Sequence, residues 1–98
     1  MKTLLERLEA PRPMLYDGGF GAELFARGVQ LTNSTLANEL HPHDVVEVHR
    51  AFIDAGADAI GTNTSVASPL HLEMAGKKVD EAEAILKLAV EHAHTAVE

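Results

Sequence analysis

Apolar positions along this chain fall into two kinds of run, and the change from one to the other predicts its elements. From Thr3 to Ala10, Leu4, Leu5 and Leu8 share one face of a short amphipathic helix. Pro11 and Pro13 end it and impose an extended approach. Met14-Leu15-Tyr16 is a short apolar run that stops at Asp17-Gly18-Gly19, the pattern of a buried strand. Phe20 to Arg27 reads as a helix with Leu24 and Phe25 as its apolar residues and Gly28 as its stop. Residues 29–34 are a polar loop, and Thr35 to Leu40 suit one or two helical turns. Pro42 falls in the first turn of the next helix, where Val45, Val48, His49 and Phe52 line one face and Gly56 closes the end. Asp58 leads into a second strand, Ala59 to Thr62. Ser68-Pro69 opens a short helix carrying Leu70, Leu72 and Met74, which Gly76 ends. Val79 to Glu98 forms the longest helix, with a stripe of Ala82, Ile85, Leu86, Ala89, Ala93 and Ala96. Asp80, Glu81 and Glu83 suit the positive end of its dipole.

Two strand-to-loop junctions separated by mostly helical pattern are the grammar of a βαβ unit, where ligands collect at the carboxyl ends of parallel strands. Two parallel strands alone do not make a stable sheet. The expected fold class is therefore α/β: the N-terminal part of a (β/α)8 TIM-type barrel, with two parallel strands and several helices. Residues 1–98 read as a single partial domain. Residues 1–13 are the N-terminal helix and lead-in, and residues 14–98 the first βα units. The remainder of the barrel, or self-association, is expected to complete it.

Composition narrows the chemistry. A net charge of −7 with eight scattered basic residues argues against a nucleic-acid partner. No run approaches the ~18 apolar residues that span a bilayer, and no signal-peptide pattern is present, so no membrane partner and a cytoplasmic location are expected. The absence of cysteine removes disulfides, thiol catalysis and cysteine-ligated metal from these residues.

Several motifs then occur together: Asp17-Gly18-Gly19-Phe20-Gly21, Arg27-Gly28, the run from His49 to Asp58 with His-Arg-Ala-Phe and Ala-Gly-Ala-Asp, and Thr62-Asn63-Thr64. In this combination and order the chain resembles the homocysteine S-methyltransferase family, from about Met14 onward. The resemblance implies the barrel and methyl transfer from a donor to the thiol of homocysteine or a related thiol, a step in methionine formation. It implies zinc in the intact family domain. A free thiol near pKa ~8.5 is mostly protonated at neutral pH, and a metal holds it as the thiolate. The family's zinc ligands are cysteines on later strands, so no residue here is expected to ligate metal, and no catalytic residue carries over. Asp17 matches the acid that holds the substrate amino group, which suits a carboxylate because it accepts charge-assisted hydrogen bonds. Gly18 matches the adjacent glycine, where the lack of a side chain lets backbone approach the substrate. Asn63 and Thr64 match the pocket floor. Gly61 and Ser65 stand where many members have Glu and Phe, which removes a possible anchor and a wall.

Other readings stand beside these. Asp17-Gly18 is also a common turn pair. Gly18-Gly19-Phe20-Gly21 opens a helix as a phosphate loop does, though it lacks the full glycine spacing and the Walker lysine. A non-catalytic binding or assembly subunit would keep the same opening segment. His41 and His43 read as solvent-exposed or capping residues, His92 and His94 as surface residues, and His49 as a core histidine with one hydrogen bond.

Overall fold

The structure, a computed structural model, describes residues 3–98; Met1 and Lys2 of the expected lead-in lie outside the described residues. Its elements in chain order are α1 (Leu4–Glu9), α2 (Phe20–Ala26), α3 (Ala37–Leu40), α4 (Pro42–Asp54), α5 (Pro69–Met74) and α6 (Val79–Val97), with a 3-10 turn at Ser34–Leu36 before α3.

The helices start and stop for local reasons. Thr3 caps α1 by accepting the amide of Glu6, and Ser68 caps α5 by accepting that of His71. Asn33 caps the 3-10 turn through the amide of Thr35. Pro42 and Pro69 lie in first turns, where a missing N–H leaves no intrahelical bond unmade. Past the ends of α2, α4 and α5, Gly28, Gly56 and Gly76 take φ of +87°, +109° and +88°. Only glycine enters that region without a Cβ penalty.

Two apolar clusters form the core. Leu24, Val29, Ala37, Val45 and Val48 make the first, with Phe20, Leu31 and Phe52 against them. Leu36, Ala67, Leu72, Ala82 and Ile85 make the second, with Leu31 and Ala75 alongside. Leu31 touches both and joins them. The long α6 packs over α3, α4 and α5, and its Ala82 and Ile85 belong to the second cluster.

The expected pair of parallel strands is not there. Among the described residues the chain is helical with no strand or sheet, which overturns the reading of an α/β barrel segment. What remains is one isolated parallel bridge, Tyr16 to Ala59. Leu15 O accepts from Asp58 N at 2.7 Å and Ala59 N at 3.2 Å. The physical reason is the absence of neighbours. Parallel pairing is weak per residue and persists where both faces and both edges are covered. Here Leu15 and Tyr16 are 55% and 69% exposed.

Amphipathic pattern also overstated what α1 buries. Its leucines face solvent and none of its residues is buried. Phe25, Leu70 and Met74 are exposed as well. Instead of apolar packing, α1 is held by charge. Arg7 Nη1 lies 2.7 Å and Arg12 Nη2 2.8 Å from Asp58 Oδ1, and Leu15 N donates to Asp58 Oδ2 at 2.9 Å. The arginines and this amide hold the Asp58 carboxyl well below the usual carboxylate range.

Candidate functional site

The chain crosses itself where residues 14–17 run beside residues 58–61. Asp17 leaves the bridge one residue after Tyr16. Its Oδ2 accepts the amide N–H of Gly61 at 3.0 Å. Among the described residues the other oxygen, Oδ1, accepts no protein hydrogen bond, and the side chain is half-buried. The carboxylate is thus oriented by one oxygen and open at the other.

Gly18 follows, exposed. A Cβ there would lie 3.5 Å from the Phe52 ring, so α4 lies directly behind this backbone. Gly61 faces a closer neighbour. A Cβ at Gly61 would be 3.1 Å from the Tyr16 hydroxyl, tighter than ordinary contact. Tyr16 therefore occupies the space that a side chain at 61 would enter, and the glycine permits the approach.

Asn63 and Thr64 take different places. Asn63 is 2% exposed and belongs to a buried amide clamp. Its Nδ2 donates to Ser34 O at 2.9 Å and to Asn38 Oδ1 at 3.2 Å. Asn38 Nδ2 donates back to Asn63 O at 3.0 Å. Asn63 Oδ1 has no partner. Thr64 is half-buried, and its hydroxyl lies 3.0 Å from that of Thr62 within a tight turn. Asp17 and Gly18 thus lie at the crossing, while Asn63 is buried and anchored to Ser34 and to Asn38 of α3.

Histidines depart from their expected places. His92 is not a free surface group: its Nε2 lies 2.8 Å from Asn38 O, joining α6 to the amide clamp. His49 is fully buried as expected for a core residue, but neither ring nitrogen has a hydrogen-bond partner. Its ring centroid is 4.8 Å from that of Phe20, with planes tilted by 57°. Burial lowers its pKa below the ordinary imidazole value, against the attraction of Asp17.

Sequence reasoning did not find Asn38, Asn33 or the arginine partners of Asp58. Asn33 Nδ2 donates to Val66 O at 2.9 Å, a tie across 33 residues. These contacts join distant segments, and no periodicity marks them. One signal was available for Asn38: an amide flanked by Leu36, Ala37 and Leu40 in a helical stretch is a polar residue in apolar company, which must find partners.

Comparison with known proteins fixes the family. The profile of the homocysteine S-methyltransferase family matches residues 14–98, and the chain belongs to that family. It is similar to betaine–homocysteine S-methyltransferase 1 of Xenopus laevis, 40% identical over 82 residues that cover 82% of this chain and 20% of that protein. Homocysteine S-methyltransferase 1 of Zea mays is 35% identical over 83 residues, 82% of this chain and 26% of that protein. The pig betaine–homocysteine S-methyltransferase 1 (Sus scrofa) is 37% identical over 82 residues, 82% of this chain and 30% of that protein. The chain thus spans between a fifth and a third of the length of these curated relatives.

Proposed function

We propose that these residues supply the amino-acid-binding junction of a methyltransferase that alkylates the thiol of homocysteine or a related thiol amino acid, in the cytoplasm. The observation that carries the reading is the Asp17 carboxylate, fixed through Oδ2 by Gly61 N–H and open at Oδ1. A substrate ammonium donates to that oxygen in a charge-assisted bond, stronger than a neutral one. Gly18 keeps the neighbouring backbone free of a side chain, so the ligand approaches it closely. We assign the pocket floor to Asn63, which Asn38 and Ser34 hold in place, and to Thr64.

The sulfur-activating zinc of the family is a separate matter. Among the described residues no group of three metal-ligating side chains converges, and the chain has no cysteine. The residues present do not fit a zinc site. We assign the thiol activation, and the contact with the methyl donor, to polypeptide outside these residues.

The test is a titration of the 98-residue chain with homocysteine and with 4-mercaptobutyrate, which has the thiol but no amino group, followed by the amide resonances of Gly18 and Gly61. Homocysteine is expected to shift both, and 4-mercaptobutyrate neither; D17N abolishes the response. Equal responses to both thiols, or an unchanged response in D17N, would refute the amino-group role.

A further inference from the structure

The binding role of Asp17 leaves its neighbour Tyr16 without one. The parallel bridge sets Tyr16 opposite Ala59, and from there the phenol reaches Gly61. A Cβ on Gly61 would lie 3.1 Å from the Tyr16 hydroxyl oxygen, 3.4 Å from Cε1 and 3.7 Å from Cζ. Gly61 thus has two neighbours from the first segment. Asp17 Oδ2 accepts its amide N–H at 3.0 Å, and the hydroxyl end of Tyr16 lies against the place of its missing Cβ. Consecutive residues therefore carry a carboxylate and a phenol hydroxyl to the same glycine. Tyr16 is 69% exposed, so apolar burial does not account for it. Among the described residues its hydroxyl makes no protein hydrogen bond, while the hydroxyls of Thr62 and Thr64 lie 3.0 Å apart and serve each other. A phenol O–H is a donor that the fold does not use.

We propose that Tyr16 is a specificity-determining residue whose O–H donates to the α-carboxylate of an amino acid held at its ammonium by Asp17. The role rests on the ammonium contact of Asp17 proposed above and adds the other end of the ligand. The two ends of an α-amino acid carry opposite charge and need opposite chemistry. The ammonium donates to Asp17 Oδ1, and the carboxylate accepts from Tyr16. A neutral donor suits the second place, because another acid there would repel the carboxylate of the ligand. Gly61 lets the hydroxyl stand there, since a side chain at 61 would claim the same space. A thiol amine without the carboxylate leaves the Tyr16 O–H without a ligand partner, and the site binds it less well. No covalent bond forms or breaks.

The test compares homocysteine with 3-mercaptopropylamine, which keeps the thiol and the amine but has no carboxylate. Each is titrated into the full chain and into Y16F, and the Gly61 amide resonance is followed. The unsubstituted chain is expected to bind homocysteine about tenfold more tightly than 3-mercaptopropylamine, the worth of one hydrogen bond to a charged group. Y16F, which keeps the ring and loses the O–H, lowers the affinity for homocysteine to that of the amine and leaves the amine unchanged. Three results would overturn the proposal: equal affinity of the unsubstituted chain for both thiols, no effect of Y16F on homocysteine, or a Y16F loss shared equally by both ligands, as a merely structural role would give. Should Y16F fail to fold, the two affinities of the unsubstituted chain still decide. Equal affinity for both thiols, with D17N abolishing each, would count against Tyr16 alone. A homocysteine preference that Y16F removes and D17N leaves intact would count against the ammonium contact of Asp17 alone. Absence of binding by either thiol would overturn both.

Discussion

Asn38 and Asn63 hydrogen-bond each other twice across 25 residues of sequence. The amide of each donates to an oxygen of the other, at 3.0 Å to the Asn63 carbonyl and 3.2 Å to the Asn38 side chain. Both residues are buried. The loop that follows residue 61 is thereby tied to α3, and through His92 to α6. Removing one partner leaves buried donors or acceptors unmet. N38A is therefore expected to lower stability by about 2 kcal/mol, read from urea unfolding. A double-mutant cycle with N63A should give a coupling on the order of 1 kcal/mol. Additive losses would show that the pair acts as two independent packing sites.

Asp58 makes the fold sensitive to acid. Its carboxyl is held below its ordinary value in the fold, so the contribution is present above the unfolded carboxylate pKa near ~3.9 and is lost as pH falls through the lower folded value. Thermal melts below about pH 4 should show falling stability, and D58N should flatten that fall. The same substitution releases Arg7 and Arg12. Tryptic cleavage after Arg7 should quicken in D58N, since α1 has no buried residue to retain it. Unchanged cleavage would mean that something other than these ion pairs docks the helix.

Two glycines separate binding from folding. At Gly18 a Cβ meets Phe52 at ordinary contact distance and φ is not positive, so G18A should stay within about 0.5 kcal/mol of the parent. If the binding reading holds, its homocysteine response nonetheless weakens. At Gly56 the contrast is reversed. G56A meets no neighbour, but φ of +109° strains any L side chain, and a loss of about 1–2 kcal/mol in urea unfolding is expected.

Zinc should not bind tightly. With no cysteine in the chain and no convergent ligand set among the described residues, calorimetric titration with zinc should give at most weak, non-stoichiometric heats. A stoichiometric high-affinity isotherm would require a ligand set assembled by rearrangement or association.

Helices were legible in the sequence because their causes are local. The spacing of Val45, Val48, His49 and Phe52, the proline at 42 and the glycines at 28, 56 and 76 each act within one or two turns. The sheet was misread because strand stability is supplied by neighbours, and the segments 14–16 and 59–62 have too few. Apolar pattern marked Leu4, Leu5 and Leu8 as one face, but pattern names a face and not what covers it. The candidate site divides along the same line. Asp17 and Gly18 were picked out by motif. The bond from Gly61 and the clamp under Asn63 join residues 44 and 25 positions apart and left no periodic trace.

The Gly61 amide donates to the Asp17 side chain, where a sheet would offer it a main-chain carbonyl. One acid therefore takes the place of a main-chain acceptor between the two segments and also carries the one carboxylate oxygen at the crossing that, among the described residues, accepts no protein hydrogen bond. Natural variation at this position cannot tune recognition alone. Lengthening the side chain by a methylene would shift the crossing of the backbone along with the ligand, and removing its charge would loosen both together.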